Sequence, residues 1–134
     1  MGSLEEARKI FSKDLYATEQ SGIEIDEIGK DYAKCSMKLT KQHKNAYGGV
    51  MGGAIYTLAD FAFAVASNYE KEQATVSLVG QANFMSAPKG DILYASAQLL
   101  KDGNRNCFFE VTVTDNLEKQ IAVVTFTGAH VPFK

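Results

Sequence analysis

Asn45–Asn68 reads NAYGGVMGGAIYTLADFAFAVASN, and the reading of this stretch decides the fold. It opens as a glycine-rich turn carrying Gly48, Gly49, Gly52 and Gly53. An almost wholly apolar, alanine-rich run from Ala54 to Ala66 follows. That run is too long for an ordinary strand, and alanine is the best helix former, so the stretch predicts a helix. It has no polar face, which predicts burial on all sides. Asp60 alone breaks the pattern, as the only formal charge between Lys44 and Glu70.

A lone carboxylate in a buried helix is costly unless it is paired, hydrogen-bonded or placed for chemistry. One reading makes Asp60 structural, capping a neighbouring backbone group or pairing with Lys or Arg. The turn before it favours chemistry. Glycines at a helix start let another molecule approach the backbone, where the first N–H groups are unpaired donors. Such donors suit a developing oxyanion. A donor cluster and a buried carboxylate in one element are two parts of an acyl-transfer site.

Outward from this stretch the chain alternates. Ser3 and Glu6 have the spacing of a capping box, and Leu4, Ala7, Ile10, Phe11 and Leu15 predict an amphipathic helix to about Thr18 that covers an edge or end of a sheet. Ile23–Ile25 and Tyr32–Leu39 alternate as strands, the second with Ala33, Cys35, Met37 and Leu39 on one face. Lys41–Lys44 reads as a polar, basic loop. After the helix, Thr75–Phe84 predicts a strand with Val76, Leu78, Gly80, Ala82 and Phe84 on one face, and Ser77, Val79, Gln81 and Asn83 on the other. Pro88–Asp91 is a turn. Ile92–Lys101 alternates again, and Ala95 and Ala97 in its core-facing row leave room for a close helix. A hairpin loop at 101–106 leads to a strand with Cys107, Phe109, Val111 and Val113 inward. Ile121–Thr127 is apolar on both faces, as a central strand would be.

Short antiparallel strands and one all-apolar helix have few good solutions, and the sheet must curl around the helix. The expectation is an α+β hotdog architecture, an antiparallel sheet wrapped around a long central helix, as one domain over residues 1–134. An edge strand and an open helix end then remain, and pairing two copies would protect both.

Composition narrows the function. The 134 residues are 46% hydrophobic and 22% charged, with net charge −2 from 14 basic and 16 acidic groups. Nothing in that balance suggests nucleic acid. Cys35 and Cys107 lie in strand patterns and read as buried free thiols. His43 and His130, with no Cys-x-x-Cys, give no zinc site. The start, MGSLEEARK, is acidic and amphipathic rather than a signal peptide. The apolar helix falls short of the ~20 residues that span a bilayer and contains Asp60. A cytoplasmic protein with no membrane partner is expected.

Asn45, Gly52-Gly53 and Thr57-Leu58-Ala59-Asp60 also carry a resemblance. The pattern N-A-Y-G-G-V-M-G-G…T-L-A-D resembles the N-x-x-G-x-x-H-G-G…T-L-x-D signature of the hotdog-fold acyl-CoA thioesterases, in their phenylacetate-degradation (PaaI-type) branch. The spacing matches throughout, and the departure is Met51 where that branch usually has histidine. The resemblance covers about Ile23 to Thr127. It implies hydrolysis of a small aryl or medium-chain acyl-CoA, with no cofactor beyond the coenzyme A of the substrate, by a homodimer or a homotetramer built as a dimer of dimers.

The resemblance also assigns roles. The Gly52 N–H would donate to the thioester carbonyl oxygen, and Asn45 would orient the attacking water or hold substrate. Asp60, from the partner subunit, would act as general base or nucleophile. Ser77 would position Asp60 or the water, its alternative being a strand serine bonded to backbone. Gly53 beside the donor fits close packing. Methionine cannot donate a hydrogen bond, but Met51 can line an acyl pocket with Tyr47, Phe61 and Phe63. The phosphates of coenzyme A call for cations: Arg105 first, for its planar guanidinium, then Lys101, Lys89, and Lys41 or Lys44. A non-catalytic acyl-CoA-binding or sensing domain on the same fold is the alternative, favoured by the missing histidine and opposed by Asp60. An acyl-CoA hydratase fits less well, because neither histidine lies in the helix.

Overall fold

A computed structural model of the chain describes residues 2–133. Helix α1 spans Leu4–Phe11 and helix α2 spans Gly52–Asn68. Six strands complete the fold: β1 Ile23–Gly29, β2 Tyr32–Lys38, β3 Ala74–Phe84, β4 Ile92–Asp102, β5 Asn106–Asp115 and β6 Gln120–Val131. They form one antiparallel sheet in the order β1-β2-β4-β5-β6-β3. The apolar β6 lies between two neighbours, as its two apolar faces predict.

The sheet curls around α2. Ala33 on β2 and Ala95 and Ala97 on β4 are fully buried, and their small side chains let the helix lie close. Phe63 of α2 stacks on Phe126 of β6 at 4.5 Å and meets Phe109 of β5 edge-on at 5.3 Å. Both cysteines are buried and free.

Burial of α2 on all sides does not hold. Ile55, Leu58, Ala59, Phe61, Ala62 and Phe63 are buried, but Gly53 is exposed and Thr57, Asp60 and Ala64 are only half-buried. These four recur at helical spacing, so they form one outward stripe. The strands of one chain wrap the opposite side, and the stripe is bordered by the segment between α1 and β1.

That segment differs from the expected continuous helix to Thr18. Helix α1 stops at Phe11, and a π-helical turn occupies Tyr16–Gln20. Local side-chain bonds compete with the helix: the Ser12 hydroxyl donates to Lys9 O, and the Thr18 hydroxyl donates to Asp14 O and Ser12 O. Leu15, expected inward, is exposed instead. Only half of the capping box forms. Ser3 Oγ accepts the Glu6 N–H at 3.1 Å, while the Glu6 carboxylate accepts from the Tyr69 hydroxyl at 2.7 Å. This second bond ties α1 to the far end of α2.

The simple alternation expected for β3 also fails. A bulge between Ser77 and Val79 shifts its register on β6, and a bulge reverses which face later residues occupy. Ser77 is opposite Gly128 and Gly80 is opposite Phe126. A Cβ at Gly128 would meet Phe63 of α2, and one at Gly80 would meet Tyr56 of α2. Ser77 and Gly80 therefore share the helix-facing side, and Val76 and Val79 take the outer one.

The two sheet edges are treated differently. On β1, Arg8 Nε of α1 donates to Ile25 O at 2.9 Å. Strand β3 is bonded on one side only, to β6, and exposes Val76, Leu78 (59%) and Val79 (58%). An apolar open edge of this length is a template for pairing with another chain.

Candidate active site

The loop before α2 is built by Asn45. Its Oδ1 accepts the N–H groups of Tyr47 and Gly49 at 2.9 and 3.1 Å, and its backbone exchanges bonds with Gly48 and Gly49. Gly48 sits at φ 85°, a conformation that favours glycine. Buried His43 anchors the loop from behind, so the expected polar loop is ordered, with a 3-10 turn over Lys41–His43. The Thr40 N–H donates to His43 Nδ1 at 3.0 Å, so Nε2 carries the proton and donates to Ser21 O at 2.9 Å. His43 O then accepts the Met51 N–H at 2.8 Å.

Met51 is the N-cap of α2 and supplies no side-chain hydrogen bond. Serine, threonine or aspartate there would accept from the first turn. Ala54 and Ile55 N–H already reach Met51 O, and among the described residues the Gly52 and Gly53 N–H groups have no acceptor. A Cβ on Gly52 would come within 3.1 Å of the Phe84 ring. At Gly53 a Cβ would meet only Met51 Cγ at 3.8 Å, so packing within this chain does not account for Gly53. Asn45, Gly52, Phe84 and Pro88 share an open cavity of about 470 Å³.

Asp60 belongs to a second cavity, of about 310 Å³, with Asp14, Leu15, Tyr16, Ala17, Thr57, Phe61 and Ala64. Among the described residues its carboxylate makes no ion pair with Lys or Arg. Burial raises its pKa from the ordinary carboxylate value, and the nearby Asp14 adds to the rise. Tyr56, one turn earlier, is raised too, by burial and then by Asp60.

Thus the chain brings Asn45 and Gly52 together but does not bring Asp60 to them. Gly52 and Asp60 are eight residues apart on one helix, about 12 Å along its axis. Ser77 is exposed on the helix-facing side of β3 and lines neither cavity. Tyr47 is 98% exposed and Met51 52%. Phe61 is almost fully buried against Phe11, with one side on the Asp60 cavity. Phe63 lies in the aromatic core stack, not in an acyl pocket. Lys101 and Arg105 sit on the β4–β5 hairpin, which meets the C-terminal end of α2, opposite Gly52. Lys89 follows Pro88 at the Gly52 end. The sequence reading missed the Asp14–Ala17 segment, whose only signal was the break in apolar spacing at Ser12–Asp14.

No helix among the described residues is long and apolar enough to cross a membrane. A curled antiparallel sheet around one long helix defines a hotdog fold. The thioesterase superfamily model matches residues 47–122, and the chain belongs to that superfamily. It is 35% identical over 103 residues, 77% of its own length and 67% of the relative's, to a provisionally named esterase of Archaeoglobus fulgidus. To the acyl-coenzyme A thioesterase PaaI of Escherichia coli it is 27% identical over 117 residues, 87% of this chain and 83% of that one. The structure of E. coli PaaI superposes with a TM-score of 0.82 at 23% identity, covering 96% of each chain. The chain is thus a thioesterase of the hotdog fold, an enzyme of the thioester hydrolase class, and PaaI is among the proteins it is similar to.

Proposed function

We propose that the protein hydrolyses a small aryl or medium-chain acyl-CoA thioester to the free acid and coenzyme A, at sites shared between two copies of the chain. The observation that carries this reading is the half-buried Asp60 carboxylate, with its pKa raised and no ion pair among the described residues, in the helix whose Gly52 and Gly53 N–H groups find no acceptor among those residues. The Gly52 N–H donates to the thioester oxygen as it gains charge. Asp60 of the other copy takes the proton of the attacking water, or attacks the carbonyl carbon itself. Asn45 Oδ1 is occupied by its own loop, so its Nδ2 is the group left to hold the water or substrate. Ser77 makes no side-chain hydrogen bond among the described residues and is free to orient Asp60 or the water.

Two copies are needed because 12 Å separates the donor and the carboxylate in one chain, a figure of about that size following from the helical rise. The open β3 edge is the natural seam, since pairing there covers Leu78 and Val79. A dimer of dimers extends the same reading. Cations for the coenzyme phosphates come from Lys89 beside the donor, or from Arg105 and Lys101 reaching over from another copy. Met51, with no hydrogen bond to give, favours the second reading, an acyl-CoA-binding domain without turnover. A thiol-release assay over aryl and aliphatic acyl-CoA esters decides. Saturable hydrolysis supports the enzyme, and tight binding with no thiol release supports the second reading.

A further inference from the structure

Asp14 stands in the break between α1 and the π-helical turn, and it faces the Asp60 cavity from outside α2. The placement is built into the backbone. Asp14 O accepts both the N–H and the hydroxyl of Thr18, at 2.9 and 3.0 Å. The turn is pinned further on by buried Ala17 and by His43 Nε2 on Ser21 O. The break therefore holds Asp14 on the same cavity as Asp60.

The other groups around Asp60 do not neutralise it. Thr57 spends its hydroxyl on Gly53 O at 2.8 Å. Tyr16 from the turn and Tyr56 from α2 are the remaining titratable groups near it. Among the described residues that line the cavity there is no Lys, Arg or His. Two carboxyl groups thus share one cavity with no cation between them.

We propose that Asp14 is a positioning residue of the hydrolytic site, acting through Asp60 by charge repulsion across their shared cavity rather than by touching substrate. This rests on the reading of Asp60 as the group that activates water or attacks the thioester. Repulsion from a second carboxylate disfavours the charged form of the first. Burial and Asp14, in that order, both raise Asp60, and partial burial raises Asp14 itself. A more basic carboxylate takes a proton from water more readily and is the better nucleophile. The consequence is an acid limb of activity at higher pH than an ordinary aspartate would give.

The experiment compares wild type with Asp14→Asn and Asp14→Glu. The Asp14 backbone bond to Thr18 is unaffected by either change. Two readouts are taken: the pH profile of kcat/KM on the best acyl-CoA, and the NMR titration of the Asp60 carboxyl carbon in the unliganded protein. In Asp14→Asn both midpoints move to lower pH, and the plateau rate changes by less than about 10-fold. Asp14→Glu stays near wild type. High salt narrows the gap between wild type and Asp14→Asn, because exposed charges are screened. An Asp60 titration unchanged by Asp14→Asn overturns the proposal, as does lost activity with an unmoved limb. Should wild type release no thiol from any ester, the hydrolase reading fails on its own, and the carboxyl titration still decides whether Asp14 acts on Asp60.

Discussion

Replacing Asp60 by Asn separates chemistry from structure at the central residue of the fold. The side chain keeps its size and one carbonyl oxygen but loses the basic oxygen. General-base assistance is worth ~10²–10⁴-fold in rate, or about 3–5.5 kcal/mol of barrier, so thiol release falls by that order. The stability arm follows from the environment. If Asp60 belonged to a buried ion pair, the substitution would cost about 3–5 kcal/mol. At roughly 3 °C per kcal/mol for a chain of this size, the melting temperature would drop by about 10 °C. Among the described residues Asp60 has no such partner, and its pKa is raised by burial and by Asp14. A raised carboxyl disfavours folding once it ionises. Its contribution is complete below the unfolded value, about 3.9, and is lost as pH rises through the folded value. Asn removes that cost, so the variant melts at or above wild type at pH 7, and the gap closes below about pH 4. Kinetics and a melting series on one pair of proteins test both arms. Wild-type turnover by the Asn variant refutes the proposed chemistry, and a 10 °C fall at neutral pH refutes the account of its surroundings.

Three further substitutions probe the rest of the molecule. Val79→Arg places a charge on the exposed β3 edge; sedimentation should show monomer, and thiol release should fall with it, whereas an active monomer would end the shared-site reading. Asp115 is buried and accepts the N–H groups of Lys89, Gly90, Leu117 and Lys119, and these bonds, the one from Gly90 first, hold its pKa well below the usual carboxylate range. Its stabilisation is present above the unfolded value and lost as pH falls, so Asp115→Asn lowers the melting temperature at pH 7 by an amount that shrinks in acid. Met51→His adds a donor beside the Gly52 N–H; turnover on at least one ester should rise, by up to the ~10²–10³-fold that one such donor contributes, and a folded variant with no gain means that the site has compensated for the missing donor or uses Met51 for the acyl pocket.

Much of this was legible in the sequence because it rests on local periodicity and covalent spacing. The apolar run from Ala54 to Ala66, the alternating strands, the paired alanines of β4 and the glycines at a helix start each state their own structure. So does an aspartate with no polar company. Tertiary structure decided what depends on neighbours remote in sequence. The β3 bulge after Ser77, which brings Gly80 to the same helix-facing side as Ser77, is set by the shifted pairing with β6, and no period within β3 announces it. The outward stripe of Gly53, Thr57, Asp60 and Ala64 exists because the strands of one chain wrap only one side of α2. Phe63 and Phe61 look alike in sequence, yet one stacks in the core and the other also borders the Asp60 cavity. Asp14 and Asp60 are 46 positions apart, by difference of their numbers, and only the break after α1 brings them to one cavity. Periodicity assigns a residue to a face of its own element, and the packing of elements decides what that face meets.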